Sequence, residues 1–260
     1  MPEVIQDDLY NYPQYYDLVY GSDWKAEFDF LQECFERFAK ANVKSVFEPA
    51  CGTGRLLIKL AQAGFAVAGN DLNEHAVRYC NRRLKRNGYK ETAVVGDMSD
   101  FALKRPVGAA FNMINSFRHL ATEASAQAHL RCVANSLSRG GIYVLGMHLT
   151  PTAGDPIESE SWPARRGNLA VISSLQTVSR DMKRRVETVA MTYDVYTPTR
   201  QFRLSGELKF RTYTARQMLR LIKGQPSLEI AAAYNFKYDI DSQEEIDDTT
   251  EDVVFVLRKT

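Results

Sequence analysis

The first half of the chain alternates short apolar runs with stretches in which apolar residues recur at helical spacing. The apolar runs predict strands at residues 44–48, 66–70, 92–96, 109–114 and 142–148. Strands that alternate with helices are typical of βαβ units, which build a parallel sheet. The pattern therefore predicts an α/β fold for this half of the chain.

Capping residues set the limits of the predicted helices. Side chains that accept hydrogen bonds from free backbone N–H groups favour helix starts, and glycine favours helix ends because it adopts positive φ without strain. The predicted starts are Ser22 or Asp23, Asn73 and Thr122, and the predicted ends are Lys40, Gly64, Gly88 and Gly140-Gly141.

After Thr150 the pattern changes, because three β-type stretches follow one another without a helix between them. Residues 169–180 and 184–197 flank a short polar turn, and the third stretch alternates apolar and polar side chains from Phe202 to Tyr213. This alternation predicts an antiparallel meander with one buried face and one polar face.

The last part of the chain returns to the α/β pattern. Thr214 and Gln217 form a capping box that begins a helix ending near Gly224, and two final strands are predicted at 228–236 and 252–258. The predicted units are a core (residues 1–150), an inserted β-meander (151–213) and a C-terminal helix with two strands that complete the core (214–260).

Composition limits the classes of function. Lysine and arginine number 33 against 32 acids, so the net charge of +1 provides no overall basic field for nucleic acid. The four cysteines lack metal-ligand spacing, and no run resembles a signal peptide or has the apolar length of a membrane span. We expect a cytoplasmic protein with no metal, for which nucleic acid and membranes are not the default partners.

A glycine turn, Glu48-Pro49-Ala50-Cys51-Gly52-Thr53-Gly54, joins the first predicted strand of the α/β pattern to the next helix. Its glycines let a ligand approach the main chain closely. A dinucleotide-binding turn has a third small residue that serves helix packing beside a pyrophosphate, but Leu57 occupies that position here. The carboxylate of Glu48 would repel a pyrophosphate and suits a ligand with an ammonium and a sulfonium. The turn therefore indicates a cationic cofactor.

Two more acids follow the next predicted strands. Asp71 stands nineteen residues after Gly52, where a carboxylate can accept hydrogen bonds from two ribose hydroxyls. Asp97 can accept from an adenine amino group, and Met98 can pack on the base. Together with Glu48, these strand-end acids indicate a site for an adenosine-containing cofactor.

These residues resemble class I S-adenosylmethionine-dependent methyltransferases, especially those acting on small molecules, over about residues 15–149. The fold expected on this basis is α/β, with a Rossmann-like, mostly parallel seven-stranded sheet whose last strand is antiparallel, plus the inserted meander. The resemblance implies that S-adenosylmethionine binds with its methionine part at the glycine turn, its ribose at Asp71 and its adenine at Asp97 and Met98. Gly108 departs from the acid that the family often has there, which leaves the start of that strand uncertain.

Two further segments carry the resemblance. Asn115 to His119 is similar to a segment that passes beside the sulfonium, and Tyr15 to Tyr20 is similar to an N-terminal segment that folds over the cofactor. The cofactor-binding residues expected in all are Glu48, Ala50, Gly52, Thr53, Gly54, Arg55, Asp71, Leu72, Asp97, Met98, Asn115, Tyr15 and Tyr20.

Methyl transfer is an in-line displacement, so alignment and exclusion of water are an enzyme's main contributions. An acceptor amine or hydroxyl benefits from a base, and His119 and His148 are the best candidates because each follows a predicted strand at the carboxyl edge. Each also suits a structural role. Tyr16 is a third candidate catalytic residue, since tyrosine rings favour a cation.

The meander is attached at the same edge of the sheet, so we expect it to cover the acceptor or to pair with a second copy of the chain. The residues expected to contact the acceptor are Trp162, Arg211 and Tyr213, for which surface or core roles are equally open. Two other functions stay open: methylation of RNA or protein, and a non-catalytic protein that binds S-adenosylmethionine.

Overall fold

Strands and helices alternate along the first half of the chain, as the apolar pattern predicts. The computed structural model describes residues 3–22, 24–153 and 158–260. Its strands are β1 (Glu3–Gln6), β2 (Ser45–Pro49), β3 (Ala66–Asp71), β4 (Ala93–Val95), β5 (Val107–Asn112), β6 (Leu137–His148), β7 (Ser159–Arg166), β8 (Leu169–Asp181), β9 (Val186–Tyr196), β10 (Gln201–Arg211), β11 (Leu228–Tyr234) and β12 (Asp252–Lys259). Its α-helices are α1 (Pro13–Tyr20), α2 (Lys25–Phe38), α3 (Leu57–Gln62), α4 (Glu74–Arg86), α5 (Glu123–Ser136) and α6 (Ala215–Lys223), and short 3₁₀ helices span Leu9–Asn11 and Ser116–His119.

The larger sheet contains seven strands in the order β11-β12-β6-β5-β2-β3-β4. β12 runs antiparallel to both of its neighbours, whereas the strand pairs from β6 to β4 are all parallel. The predicted fold class is confirmed. Because parallel strands end at one edge of a sheet, the segments that follow β2 to β6 meet there.

Side-chain hydrogen bonds mark the start of three of the six α-helices in the described part of the chain. The Asn73 side chain accepts from the backbone N–H of Ala76 at 3.0 Å and begins α4. Thr122 begins α5 and Thr214 begins α6, each in a reciprocal capping box as expected for such residues. The start of α2 differs from the prediction. Asp23 lies outside the described residues, and the Ser22 hydroxyl contacts the carbonyl of Val19 instead of capping the helix.

The end of α5 is also wrong in the prediction, which places it at Gly140-Gly141. The helix ends at Ser136, and β6 begins at the next residue. Gly140 has φ of 74°, and a Cβ there would lie 2.6 Å from the Lys40 side chain. These glycines therefore serve an irregular, closely packed start of β6, and the register between β5 and β6 shifts at this point.

The inserted segment forms a second sheet with the strand order β1-β10-β9-β8-β7. The predicted meander corresponds to β8, β9 and β10, which pair antiparallel. Two edge strands were not predicted. β7 pairs antiparallel with β8, and β1 pairs parallel with β10, so the first residues of the chain join the meander sheet. Pairing of two copies through this sheet stays a prediction.

Three apolar clusters hold the layers together. One lies between the large sheet and the helices α2 to α4, and the second lies between the sheet and the helices α5 and α6. The third packs α1 and the 3₁₀ turn at Leu9 under the smaller sheet. This third cluster holds the meander over the carboxyl edge of the large sheet. No helix in the described ranges is long and apolar enough to cross a membrane.

Candidate active site

A cavity of about 840 Å³ lies at the carboxyl edge of the large sheet, beneath the smaller sheet. One side is formed by the segments that follow β2, β3 and β4, with Gly52, Asp71 and Met98 among the lining residues. The other side is formed by the ends of β5, β6 and β12 and by the inner face of β7 to β10. The fold thus joins two half-sites, one at the glycine turn and one below the meander.

The glycine turn has the backbone that the sequence predicts. Gly52 and Gly54 have φ of 53° and 66°, values that L side chains rarely adopt. A Cβ on Gly52 would meet nothing within 4 Å, so this glycine opens the backbone to the cavity. A Cβ on Gly54 would lie 2.3 Å from the Cys80 sulfur, so this glycine instead lets the turn pack on α4.

Asp71 connects the end of β3 to the glycine turn. Its two carboxylate oxygens accept from the backbone N–H groups of Gly52 and Asn73, each at 2.8 Å. Burial raises the pKa of this carboxyl, while the two N–H donors oppose the rise. Each oxygen keeps a second lone pair, and the side chain lines the cavity. The group is therefore fixed in position and able to accept further hydrogen bonds.

Glu48 is buried below the turn, and its Oε2 has no hydrogen-bond partner among the described residues. Burial raises the pKa of this carboxyl well above its usual value, although the Arg55 guanidinium opposes the rise. Arg55 is buried as well and forms an ion pair with Glu27, which lines the cavity. Glu48 itself does not line the cavity, so its predicted contact with the cofactor stays a prediction.

The predicted adenine contacts separate in the structure. Gly96 and Met98 line the cavity, but Asp97 between them does not. The Asp97 carboxylate is exposed and accepts from the backbone N–H and the hydroxyl of Ser99. Among the other predicted cofactor residues, Ala50, Thr53 and Leu72 line the cavity, whereas Gly54 and Arg55 do not.

Left-handed backbone conformations concentrate around the cavity. Among the described non-glycine residues with positive φ, Ala50, Ile114, Asn115 and Tyr238 all line it. For a β-branched residue such as Ile114, φ of 53° is strained. Strain of this kind is typical of functional sites. The Asn115 side chain accepts from the backbone N–H of His148 at 2.7 Å, so the segments after β5 and β6 are held together.

His148 and Asp252 form a pair on the meander side of the cavity. His148 Nδ1 lies 2.7 Å from a carboxylate oxygen of Asp252, and the two residues face each other across β6 and β12. The carboxylate fixes the proton on Nδ1, which leaves Nε2 as an acceptor. The His148 ring also packs against Phe236 at 5.1 Å between ring centroids.

His119 lies farther along the same wall. Its Nε2 is 3.0 Å from the hydroxyl of Tyr10, and its ring packs on Phe210. His119 lines the cavity, and part of its surface is exposed. Desolvation, with a smaller effect of the Arg118 guanidinium, lowers the pKa of His119 to about 4. The imidazole is therefore neutral at neutral pH.

Aromatic rings cover the cavity from the N-terminal segment. Tyr10, Tyr16, Tyr20 and Trp162 form a continuous series with centroid separations of 5.8, 4.6 and 6.0 Å. Burial raises the pKa of Tyr16 to about 12, so its hydroxyl keeps the proton. Tyr15, on the other side of α1, packs against Phe202 under the smaller sheet and does not line the cavity.

Two of the three residues predicted to contact the acceptor lie elsewhere. Tyr213 is fully buried in the cluster between the sheet and α6. Arg211 forms an ion pair with Glu123 at the start of α5 and donates to the carbonyl of Ala121. Arg211 ends β10, and Leu208 and Phe210 of the same strand line the cavity in its place. Trp162 alone of the three lines it.

Sequence reasoning missed several lining residues. Asp252 follows an acidic stretch whose composition predicts a solvated linker. Only the pairing of β12 with β6 brings Asp252 next to His148. Glu160 and Trp162 lie two residues apart on β7, so they share one face of a strand that was not predicted. Tyr10 precedes the tyrosine-rich segment, and its proximity to Tyr16 in the sequence was the one available signal.

A Rossmann-like sheet with one antiparallel strand and an acid-lined glycine turn suits the binding of S-adenosylmethionine. Residues 46–141 match the family described as a methyltransferase domain. A solved structure of an S-adenosylmethionine-dependent methyltransferase from Clostridium acetobutylicum has a TM-score of 0.77 at 17% identity, covering 97% of this chain and 99% of that one. The resemblance stated from the sequence is confirmed.

Two curated relatives are more similar in sequence. dTDP-3-amino-3,4,6-trideoxy-alpha-D-glucopyranose N,N-dimethyltransferase of Streptomyces venezuelae is 31% identical over 50% of this chain and 54% of the relative. dTDP-3-amino-3,6-dideoxy-alpha-D-glucopyranose N,N-dimethyltransferase of Streptomyces fradiae is 33% identical over 50% of each chain. The chain spans about half the length of these relatives.

Proposed function

We propose that the protein transfers a methyl group from S-adenosylmethionine to an amino group of a small-molecule acceptor. The observation that carries this proposal is the pairing of two half-sites in one cavity: the Asp71 and Gly52 turn on one side and the His148–Asp252 pair on the other. Both relatives described above are named as N,N-dimethyltransferases of amino sugars. Their names favour nitrogen over oxygen as the methylated atom.

The cofactor half of the cavity has the chemistry that S-adenosylmethionine needs. Asp71 is held by Gly52 and Asn73 and would accept from the ribose hydroxyls. Glu27 lines the cavity, is held by Arg55, which follows the glycine turn, and would face the methionine part of the cofactor. Met98 would pack on the adenine. A role for Asp97 at the adenine amino group stays a prediction, because its carboxylate already accepts from Ser99.

When bound, S-adenosylmethionine supplies an electrophilic methyl group at its sulfonium. An amine reaches the cavity mostly as an ammonium ion, which has to lose a proton before its nitrogen can attack. His148 is our proposed base, because Asp252 holds the proton on Nδ1 and leaves Nε2 to accept. The aromatic series of α1 and β7 would exclude water and align the acceptor.

The other two candidate catalytic residues have different roles in this proposal. His119, neutral beside Tyr10, would orient the acceptor through a hydrogen bond. Tyr16 keeps its proton and presents a ring to the cavity, where a cation is favoured. The two residues therefore bind and orient without taking the proton.

The proposal is tested in two steps. S-adenosylhomocysteine should raise the melting temperature, and NAD should not, because the turn lacks the third small residue that a pyrophosphate-binding turn needs. Transfer of a labelled methyl group to a panel of amino sugars should then exceed transfer to the same sugars with hydroxyl in place of amine. Stabilisation by NAD alone, or labelling only of RNA or protein, would contradict the proposal. Homodimer formation and a cytoplasmic location stay predictions.

A further inference from the structure

We propose that the acceptor is a cationic amine without a phosphate group, and that its ammonium binds between Glu160 and Asp252. The inference rests on the proposed methyl transfer and names the chemical class of its acceptor. It separates this protein from the two relatives above, whose names give substrates that carry a dTDP group.

Acids dominate the titratable residues of the cavity wall. The described lining contains five carboxyl groups and two histidines, and it contains no lysine or arginine. The carboxyl groups belong to Asp8, Glu27, Asp71, Glu160 and Asp252. The undescribed residues contain no lysine or arginine either. A diphosphate in this cavity would therefore meet like charges without a basic side chain to bind it.

Arginines close to the cavity are already paired with acids, as is Arg83, which donates to the carbonyl of Thr53 and forms an ion pair with Asp17. Arg55 is paired with Glu27 behind the wall. A side recess of about 70 Å³ that adjoins the cavity is lined by Arg118 and Arg180, but both bind the buried carboxylate of Glu187. Glu158, Glu160 and Glu251 line the same recess, so carboxylates outnumber the guanidinium groups there too. Neither region provides a site for phosphate.

A cation, by contrast, finds complementary groups on the meander side. Glu160 forms no ion pair within the described part of the chain, and burial raises the pKa of its carboxyl. Trp162 lies on the same face of β7, and Phe236 packs against the His148 ring. Carboxylates and aromatic faces are the groups that bind an ammonium. An ammonium between Glu160 and Asp252 would also lie beside His148, the proposed base.

The wall formed by Glu160, Trp162 and Asp252, here called the acceptor wall, lies outside the part of the chain that matches the methyltransferase domain. That match covers residues 46–141, whereas Glu160, Trp162 and Asp252 come from β7 and β12. A shared methyltransferase domain therefore leaves the acceptor free to differ. The charge of this wall, not that of the cofactor half, determines which acceptor fits.

The test uses binding to the full chain loaded with S-adenosylhomocysteine, so that it does not depend on turnover. The probes are dTDP and the methyl glycosides of aminodeoxyglucose isomers, measured by calorimetry. We expect at least one amino glycoside to bind and dTDP to bind about tenfold more weakly or not at all. Tighter binding of dTDP, or no binding of any amino glycoside, would overturn the inference.

A matched pair of variants locates the ammonium. Glu160→Gln should weaken amino glycoside binding about tenfold, because the amide keeps the shape and removes the charge. Glu207→Gln, on the exposed face of β10, should leave binding unchanged. Equal affinities in the two variants would remove Glu160 from the site. If the glycoside binds through Glu160 but no methyl group is transferred to any amine, the proposed function fails and the binding site remains.

Discussion

The Asp252 carboxylate lies 2.7 Å from Nδ1 of His148, although the two residues are 104 positions apart in the chain. The antiparallel pairing of β12 with β6 sets them opposite each other at the edge of the cavity. A carboxylate in this position fixes the tautomer and the orientation of the imidazole. The oriented imidazole of His148 is therefore the proposed base for methyl transfer.

His148→Asn should lower the methyl-transfer rate about 100-fold at saturating acceptor, and Asp252→Asn about tenfold or more. At saturating acceptor the double variant should lose little rate beyond His148→Asn, because in this step the carboxylate acts through the imidazole, whereas its contact with the ammonium affects acceptor binding. Single-turnover rates with labelled cofactor measure all three. Asp241→Asn removes a surface partner of Arg37 and serves as the control. Losses that multiply in the double variant would contradict a shared role.

Asp71→Asn should weaken binding of S-adenosylhomocysteine about tenfold or more, since charge-assisted hydrogen bonds to a ribose contribute about 1.5–3 kcal/mol each. The two carboxylate oxygens of Asp71 accept from the backbone N–H groups of Gly52 and Asn73. The asparagine amide has only one oxygen, so it also loses one of these two hydrogen bonds. Calorimetry measures the affinity. Asp100→Asn, at an exposed position after β4, should bind as the wild type does. An unchanged affinity in Asp71→Asn would exclude this side chain from the cofactor site.

The two glycines of the turn should respond differently to alanine. In both variants a positive φ costs an L residue about 1–2 kcal/mol. Gly54→Ala adds a Cβ 2.3 Å from the Cys80 sulfur, so it should be about 1–3 kcal/mol less stable than Gly52→Ala. Gly52→Ala places its methyl towards the cavity and should mainly weaken cofactor binding. Urea unfolding and calorimetry separate the two effects, and equal stabilities would contradict the packing role of Gly54.

A buried histidine predicts a loss of stability in acid. His129 Nδ1 donates to the carbonyl of Met98 at 2.8 Å, and Nε2 accepts from the Tyr143 hydroxyl at 2.7 Å. Desolvation lowers the pKa of His129 to about 4, below the value near 6.5 in the unfolded chain. The unfolded state therefore binds more protons between these values, and stability falls as pH falls through this window.

The contribution of His129 between about pH 7.5 and pH 5 is roughly 2 kcal/mol. His129→Gln should be less stable than the wild type at pH 7.5 but should lose about 2 kcal/mol less on going to pH 5. Urea unfolding at both pH values provides the measurement. Asp71, Glu48 and Glu160 have raised pKa values and act in the opposite direction, so the test is the difference between the variants. Parallel losses in both proteins would exclude His129 as the titrating group.

Local signals in the sequence were sufficient for most elements of the large sheet. Asn73, Thr122 and Thr214 cap the helices that they were predicted to cap, because each bond joins residues only three positions apart. The glycine turn and Asp71 were found for a related reason. Their positions relative to the strands follow from chain order, and parallel strands bring their ends together.

Other predictions failed where contacts between distant segments determine the end of an element or the position of a side chain. The sequence predicts that Gly140 ends a helix, but a glycine is required at this position because the backbone packs closely against Lys40. Arg211 and Tyr213 lie on the polar face of the strand in the sequence, yet Phe210 of the other face lines the cavity. Arg211 binds the start of α5 instead, and Tyr213 is buried in the core. β1 and β7 have no pattern of their own that sets their partners, since edge strands depend on the sheet that they join.

The sequence alone determined the fold class and the cofactor half of the site, because local periodicity, caps and the order of βαβ units specify which strand ends meet. Only the tertiary structure decided the acceptor half. Asp252, Glu160 and Tyr10 reach the cavity through pairings between distant segments, and no local propensity encodes those pairings. The charge of that half, which distinguishes one acceptor from another, is therefore a property of the folded chain.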